Sequence, residues 1–145
     1  MRGLLVLGCR LAVGGIFIYA SLDKLAHPQA FAEVIHHYRL TPYPLLHPSA
    51  HLLPVLEFVI GSALVLGIWR RGAALLAGVL TVFFMVAITS ALIRNLDISC
   101  GCFNTDGGHA VGLDLLFRDG ILLLLCLPPL LARESGIGLD RFFRK

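Results

Sequence analysis

The sequence predicts an all-α integral membrane protein: a bundle of four transmembrane helices with a short amphipathic helix on the membrane surface. Hydrophobic residues make up 57% of the 145 residues, and the mean hydropathy is +0.84. Charged residues make up only 14%, whereas soluble domains contain about 25%. The apolar residues also form four long runs, each of the length that crosses a bilayer. We therefore predict a single membrane domain over residues 1–145, without a separate soluble domain.

The first apolar run, residues 4–22, lacks the small-residue cleavage site and the polar continuation of a signal peptide. We therefore predict a retained transmembrane helix between these residues. Arg10 lies within the run, and an arginine near a helix end is expected to reach the lipid headgroups rather than to mark a functional site. Gly14 and Gly15 have no side chains and would let a neighbouring helix approach closely.

Residues 23–50 form the first polar loop, which follows the first helix. Prolines bracket residues 29–39 within this loop, and the apolar residues between them recur at helical spacing. These apolar residues are Phe31, Val34, Ile35 and Tyr38. The pattern predicts an amphipathic helix that lies on the membrane surface. Five histidines without regular ligand spacing also occur here and favour a wetted loop over a metal site; they are His27, His36, His37, His47 and His51.

Three further apolar runs predict the remaining crossings of the membrane. They comprise residues 52–68, 72–93 and 115–131. The Trp-Arg-Arg tripeptide at 69–71 is typical of an interfacial anchor with a positive stop. A second polar loop spans residues 94–114, and a basic tail spans residues 133–145. The chain is thus predicted to alternate between two long polar loops and two basic ends.

The distribution of charge predicts the orientation of these helices. Four crossings place both termini on one side, together with the tripeptide at 69–71, and this side carries most of the basic residues. The positive-inside rule then places the termini in the cytoplasm and the loops at 23–50 and 94–114 outside. In a bacterium this corresponds to an inner-membrane protein with periplasmic loops. Because the basic residues follow helix ends, they indicate topology and exclude a nucleic-acid-binding patch.

The second polar loop contains Cys100 and Cys102, separated only by Gly101. A disulfide between them would close a strained ring, and strained, exposed disulfides exchange readily. The predicted periplasmic side is also where disulfides form and persist. We therefore predict a thiol–disulfide exchange site. Two alternatives remain open: loop cysteines without chemistry, and a soft-metal site that adds His109 to the two thiolates.

A layer of ionisable residues is predicted beneath this loop, near the outer ends of three helices. Its members are Lys24, Glu57, Arg118, Asp119 and Tyr19. Charges at this depth are expected to pair inside the bundle, because an unpaired charge is costly there. The simplest structural role is an ion pair between Glu57 and Arg118. A cation near the cysteines would also favour the reactive thiolate.

Cys9 and Cys126 are predicted to lie at similar depth near the cytoplasmic ends of the first and last helices. They permit a second redox pair and hence a relay across the membrane. Buried cysteines, however, usually act as small hydrophobic residues.

Four phenylalanines also occur in the helices and favour ordinary packing over a quinone pocket; they are Phe17, Phe58, Phe83 and Phe84.

With these motifs in place, residues 4–131 resemble the MauE-like branch of the DoxX-like membrane protein superfamily. Departures from the usual pattern occur at Ser21 and Asn104, where the family often has glycine. The resemblance rests on four motifs: Phe17-x-x-Ala20-x-x-x-Lys24-Leu25, His27-Pro28 with Phe31 and Tyr38, Leu53-Pro54-x-x-Glu57, and Cys100-Gly101-Cys102-Phe103 followed by Arg118-Asp119.

The resemblance implies a four-helix inner-membrane protein that acts beside a periplasmic thioredoxin-like partner during maturation of a disulfide-rich dehydrogenase subunit. It also implies that Cys100 and Cys102 form the redox pair, supported by Lys24, Glu57 and Arg118. We accordingly expect a membrane thiol–disulfide oxidoreductase, with quinone as the natural acceptor of electrons if the partner is oxidised. The alternatives are a module that binds or transports a soft metal or sulfur species, and a non-catalytic assembly subunit.

Overall fold

The structure, a computed structural model, describes residues 2–38, 42–94 and 113–131, and every regular element in these ranges is an α-helix. The helices are α1 (Arg2–Ala26), α2 (Pro28–Tyr38), α3 (Tyr43–Leu66), α4 (Arg70–Ile93) and α5 (Leu113–Leu131). Three of them, Gly3–Ala26, Tyr43–Leu66 and Arg70–Ile93, are long and apolar enough to span a membrane. The prediction of an all-helical membrane protein is thus confirmed for the described residues.

Helices α1 and α3 pack antiparallel and meet closely at two glycines. A Cβ atom built on Gly14 would lie 2.8 Å from the carbonyl oxygen of Gly61, and one built on Gly61 would lie 2.8 Å from that of Gly14. Each distance is too short for a real side chain, so both positions require glycine for this contact. Gly15 was expected to share the role, but a Cβ atom there meets nothing within 4 Å. The two helices therefore touch backbone to backbone through Gly14.

Arg10 does not extend to the lipid headgroups as predicted, because its side chain is buried against the end of α3 and only 2% exposed. Its Nε donates a hydrogen bond to the carbonyl oxygen of Leu64 at 3.0 Å, and its Nη2 lies 3.4 Å from that of Val65. The last carbonyl groups of a helix have no backbone donor and carry partial negative charge. Arg10 satisfies two of them and adds a favourable charge at the helix terminus.

Replacing Arg10 by methionine is expected to destabilise the protein by about 2 kcal/mol, because hydrogen bonds to a charged donor are lost and buried carbonyl groups remain. The effect is measured as a lower apparent melting temperature and a lower SDS midpoint in detergent. Arg10→Lys keeps the charge without the guanidinium fork and should lie between the wild type and Arg10→Met. An Arg10→Met variant as stable as the wild type would contradict this role.

Helix α2 confirms the predicted short helix at this place, but its apolar side packs on protein. Phe31 and Ala32 contact Leu46 and Ala50 of α3, with Ile35 and Leu53 at the edge of this cluster. Val34 and Tyr38 pack against Ala91 of α4. At the C-terminus of α2, Arg94 Nη2 donates to the Tyr38 carbonyl oxygen at 2.6 Å. The amphipathic pattern thus reflects burial against α3 and α4.

Helix α3 begins at Tyr43, nine residues before the predicted crossing at 52–68. The prolines at its start were interpreted as ending the preceding loop. Pro44 instead occupies the first turn, where the missing N–H group costs nothing, while Pro48 and Pro54 are accommodated inside the helix. Residues 23–26, likewise predicted as loop, belong to α1.

The turn between α3 and α4 is short and uses left-handed backbone. Gly67 has φ 73° and caps α3, with its N–H group donating to the Ala63 carbonyl oxygen. Trp69 has φ 48° and precedes α4.

Beyond this turn, α4 packs chiefly on α5, and α5 also contacts α1. A central apolar cluster joins the four long helices; it includes Val13, Phe17, Leu64, Ala77, Leu80 and Cys126.

Candidate functional site

A small cavity of about 40 Å³, lined by both charged and apolar side chains, lies between α1, α3, α4 and α5. Four of the five residues predicted for the ionisable layer line it. The lining residues are Ile16, Phe17, Ala20, Lys24, Glu57, Thr81, Phe84, Arg118, Asp119 and Leu122. A volume of this size has room for water molecules beside the charged groups. The cavity is therefore the strongest candidate site among the described residues.

Lys24 and Glu57 form a buried ion pair at this cavity. The Lys24 Nζ donates to both carboxylate oxygens of Glu57, at 2.8 and 2.7 Å. Both residues are almost completely buried, with exposed fractions of 2% and 3%. The Lys24 Nζ also lies 5.2 Å from the centre of the Phe31 ring and 4.9 Å from that of Phe84. The ammonium group is thus held by one carboxylate and two aromatic rings.

Arg118 and Asp119 supply the second pair of charges. The Arg118 Nη2 and Nε lie 3.2 and 3.3 Å from Asp119 Oδ1, and Asp119 is buried. The sequence predicted an ion pair between Glu57 and Arg118, whereas the carboxylate of Glu57 accepts its hydrogen bonds from Lys24. The cavity thereby gathers two cations and two carboxylates, so its formal charges balance.

Tyr19 does not join this group, because its side chain is 65% exposed and does not line the cavity. It precedes Lys24 by five residues, which corresponds to about 140° around an α-helix. Tyr19 and Lys24 are thus close in sequence along α1 but lie on different faces of the helix. Depth alone does not bring two residues of one helix together.

Phe31, Phe84 and Thr81 lie around the charged groups and were not part of the predicted ionisable layer. Phe31 and Phe84 face the Lys24 ammonium group. Thr81 lines the cavity and donates a hydrogen bond to the Ala77 carbonyl oxygen at 2.9 Å. Phe31 and Lys24 occur in adjacent sequence motifs, which is a signal of their proximity. Phe84 was considered only for a quinone pocket, and Thr81 lies in an apolar run that gives no signal of its role.

Tyr38 of α2 lies close to the same charged group. Burial, together with the negative charge of Asp119, raises the pKa of the Tyr38 phenol to about 12. Tyr38 therefore keeps its proton at any physiological pH. Its backbone carbonyl oxygen is the acceptor for Arg94, the last described residue before residues 95–112. Tyr38 thus lies within electrostatic reach of Asp119 and contacts Arg94 at the end of α4.

The four phenylalanines considered for a quinone pocket do not come together. Phe17 and Phe84 line the cavity, whereas Phe58 and Phe83 are exposed on the outside of the helices.

The cysteines of the predicted exchange site, Cys100 and Cys102, lie outside the described residues, as does His109. Within the described ranges, no group of three or more His, Cys, Asp or Glu residues is placed to hold a metal ion.

Cys9 and Cys126 are free thiols on α1 and α5. Cys126 belongs to the central apolar cluster, and Cys9 lies near enough to act on it electrostatically. Cys9 precedes Lys24 by 15 positions, about 22 Å along the helix. Cys9 thus lies far along α1 from Lys24, whereas Cys126 follows the cavity-lining Leu122 by about one turn of α5.

Comparison with known proteins gives consistent matches. The family model described as methylamine utilisation protein MauE matches residues 2–132. The methylamine utilization protein MauE of Paracoccus denitrificans is 30% identical over 119 residues, which are 81% of this chain and 64% of the relative. The protein of the same name from Methylorubrum extorquens is 42% identical over 106 residues, 72% of this chain and 57% of the relative. The chain therefore spans about three fifths of the length of these relatives. No solved structure matches it significantly.

Proposed function

The chain belongs to the family of the methylamine utilisation protein MauE, and on this premise we propose that it is a membrane accessory protein that exchanges disulfides. In this proposal, Cys100 and Cys102 form the reactive pair, and the partner is a periplasmic thioredoxin-like protein. The supporting residues are those of the charged cavity: Lys24, Glu57, Arg118 and Asp119. We also propose that α5 is a fourth membrane crossing, so that α1, α3, α4 and α5 form a DoxX-like bundle in the bacterial inner membrane.

The observation that carries the proposal is the position of the charged cavity relative to the chain that contains the cysteines. Residues 95–112, which include Cys100 and Cys102, connect Arg94 at the end of α4 to Leu113 at the start of α5. Arg118 and Asp119 follow only five and six residues after Leu113, about 8–9 Å along the helix. Buried charges inside a membrane protein mark functional sites by default. A cation such as Arg118 placed beside the thiols would favour the thiolate, which is the form that exchanges.

The proposed reaction begins with the Cys100–Cys102 disulfide. A thiolate of the partner attacks one sulfur, forms a mixed disulfide and releases the other cysteine as a thiolate. The second partner thiol then resolves the mixed disulfide, so the partner leaves as a disulfide and the protein holds a dithiol. A membrane quinone restores the disulfide by accepting two electrons and two protons, and it becomes a quinol. Both couples exchange the same number of electrons and protons, so the cycle is balanced.

We assign this quinone no place inside the charged cavity. A space of about 40 Å³ accommodates water molecules rather than a quinone ring. The quinone is therefore proposed to approach from the bilayer, on the side where residues 95–112 join α4 and α5. The proposed topology places both termini in the cytoplasm and these residues in the periplasm.

The proposal is tested by redox-dependent thiol labelling of the full chain in detergent. The Cys9→Ser, Cys126→Ser double variant leaves only Cys100 and Cys102 and serves as the matched background. We expect a reversible two-electron transition in graded glutathione buffers, retained in this background and lost when either Cys100→Ser or Cys102→Ser is added. Addition of a reduced thioredoxin-like protein should reduce the pair.

Two outcomes would overturn the proposal. Thiols that remain reduced across the whole range would favour a soft-metal site or an assembly role, which metal content after purification would distinguish. A transition that disappears in the Cys9→Ser, Cys126→Ser background would assign the redox chemistry to the other pair and favour a reductive relay from the cytoplasm.

A further inference from the structure

We propose that the charged cavity is an intramembrane proton-transfer site in which Glu57 and Asp119 carry the protons of the thiol chemistry. This inference rests on the proposed function, because the protons are those released when the Cys100–Cys102 dithiol is oxidised. It assigns the cavity a chemical step that an ion pair holding helices together would not perform.

The cation that pairs with Glu57 is a lysine rather than an arginine. Lys24 can give up its proton, whereas an arginine cannot do so in a protein. The Lys24 Nζ lies 2.7 Å from Glu57 Oε2, which is a hydrogen bond along which a proton can pass directly. Transfer of that proton to Glu57 leaves a neutral amine and a neutral carboxylic acid. Neither state leaves an isolated charge in the apolar interior.

The Lys24–Glu57 ion pair borders an open space rather than tightly packed side chains. Lys24, Glu57 and Asp119 all line one cavity, which has room for water molecules between them. Water that enters this space lowers the cost of burying the charges and can pass a proton from one group to the next. Thr81 and Phe84 complete the wall of the cavity. The cavity therefore places two carboxyl groups on one space that water can reach.

The two carboxyl groups of the cavity lie at different distances along their helices from the segment that contains the cysteines. Asp119 lies six residues from the start of α5, where residues 95–112 join this helix. Glu57 lies fourteen residues from the start of α3. Asp119 is therefore proposed as the first proton acceptor for the thiols, with Glu57 as the second.

The proposed step conserves protons and electrons. Oxidation of the dithiol by quinone forms one S–S bond and removes two electrons and two protons, and the quinone accepts both to become a quinol. The cavity takes up a proton from a thiol through Asp119 and Glu57 and releases it to the reduced quinone. It therefore returns to its starting protonation state after each transfer.

The test uses the full chain in lipid nanodiscs, reduced beforehand and mixed with either of two oxidants. Decylubiquinone requires protons to be delivered within the membrane, whereas oxidised glutathione reacts at the cysteines and exchanges protons with water. Labelling of Cys100 and Cys102 over time gives the rate for each oxidant. Glu57→Gln is expected to slow oxidation by the quinone about 100-fold, the typical contribution of a positioned proton-transfer group. Oxidation by glutathione is the reference, because any effect of Glu57→Gln on the thiols themselves appears with both oxidants, and the expected 100-fold loss is measured as the change in the ratio of the two rates.

The matched control is Glu33→Gln, because Glu33 is exposed on α2 and undergoes the same chemical change. This control should match the wild type with both oxidants. Asp119→Asn is expected to repeat the selective loss. If Glu57→Gln does not fold, Asp119→Asn and the doubly neutral Lys24→Met, Glu57→Gln variant decide the question with the same two oxidants.

Each other outcome overturns a stated part of the scheme. If Glu57→Gln slows both oxidants equally or neither of them, the cavity is structural and disulfide exchange still stands. If the wild type reacts with glutathione but not with the quinone, the quinone step and the proton-transfer site are both wrong. If the wild type shows no reaction at the cysteines with either oxidant, the proposed function itself is wrong.

Discussion

Lys24→Met is expected to destabilise the folded protein by about 3–5 kcal/mol, because it leaves the Glu57 carboxylate buried without its cation. Glu57→Gln should also be destabilising, since it leaves the ammonium group beside the rings of Phe31 and Phe84 without the charge of its paired carboxylate. Both residues are at most 3% exposed, so the few water molecules that the cavity can hold replace the lost partner only in part. The measurement is the SDS-unfolding midpoint in detergent, supported by the apparent melting temperature.

The double variant Lys24→Met, Glu57→Gln separates the cost of losing the ion pair from the cost of leaving one charge buried without a partner. It removes both charges together and should recover most of the stability that Lys24→Met loses, because buried ion pairs are often replaced by neutral residues at little cost. Glu33→Gln on exposed α2 is the control for the loss of a carboxylate alone. Additive losses in the double variant would show that the two residues do not stabilise each other.

Gly14→Ala is expected to destabilise the protein by about 1–3 kcal/mol, since its added methyl group collides with backbone that cannot move aside locally. The new Cβ would lie 2.8 Å from the Gly61 carbonyl oxygen and 2.7 Å from the Val65 side chain. Helices α1 and α3 would have to separate along their shared face. Gly14→Leu should have a larger effect than Gly14→Ala, because more atoms must be accommodated.

Gly15→Ala provides the matched control one residue away. Its Cβ meets nothing within 4 Å, so the same chemical change should leave the SDS midpoint unchanged or slightly higher. A loss of stability in Gly15→Ala equal to that in Gly14→Ala would mean that the helix contact at Gly61 is not the cause. Both variants also test the packing on which the position of Lys24 relative to Glu57 depends.

The sequence contained enough information to predict the helices but not all of their ends. The apolar runs identified α1, α4 and α5 to within a few residues, because hydrophobicity and length are local properties. Helix α3 was predicted too short, since Pro44 and Pro48 favour both a loop and a helix start. The amphipathic pattern of α2 was visible, yet whether its apolar side faces lipid or protein depends on Leu46 and Ala91, which lie elsewhere in the chain.

For the charged cavity, the sequence predicted which residues lie together, but it did not predict which of them form ion pairs with each other. Lys24, Glu57, Arg118 and Asp119 were recognised because charges are rare in such an apolar chain. Their pairing depends on the relative rotation of helices, which the sequence does not contain. The same limit explains Arg10: its acceptors on α3 lie 54 and 55 residues away, and only the antiparallel packing of α1 and α3 brings them within reach.

The contact between Lys24 and Glu57 also has a consequence for how the chain enters the membrane during synthesis. The two residues are 33 positions apart, and both are made before α4 and α5. A lone charge inside a bilayer is costly to insert, by about 2.5–3.5 kcal/mol at the bilayer centre. Helices α1 and α3 can instead leave the insertion machinery as a unit in which Lys24 and Glu57 are already paired. The later helices then join this unit, and Glu57 never has to face lipid alone.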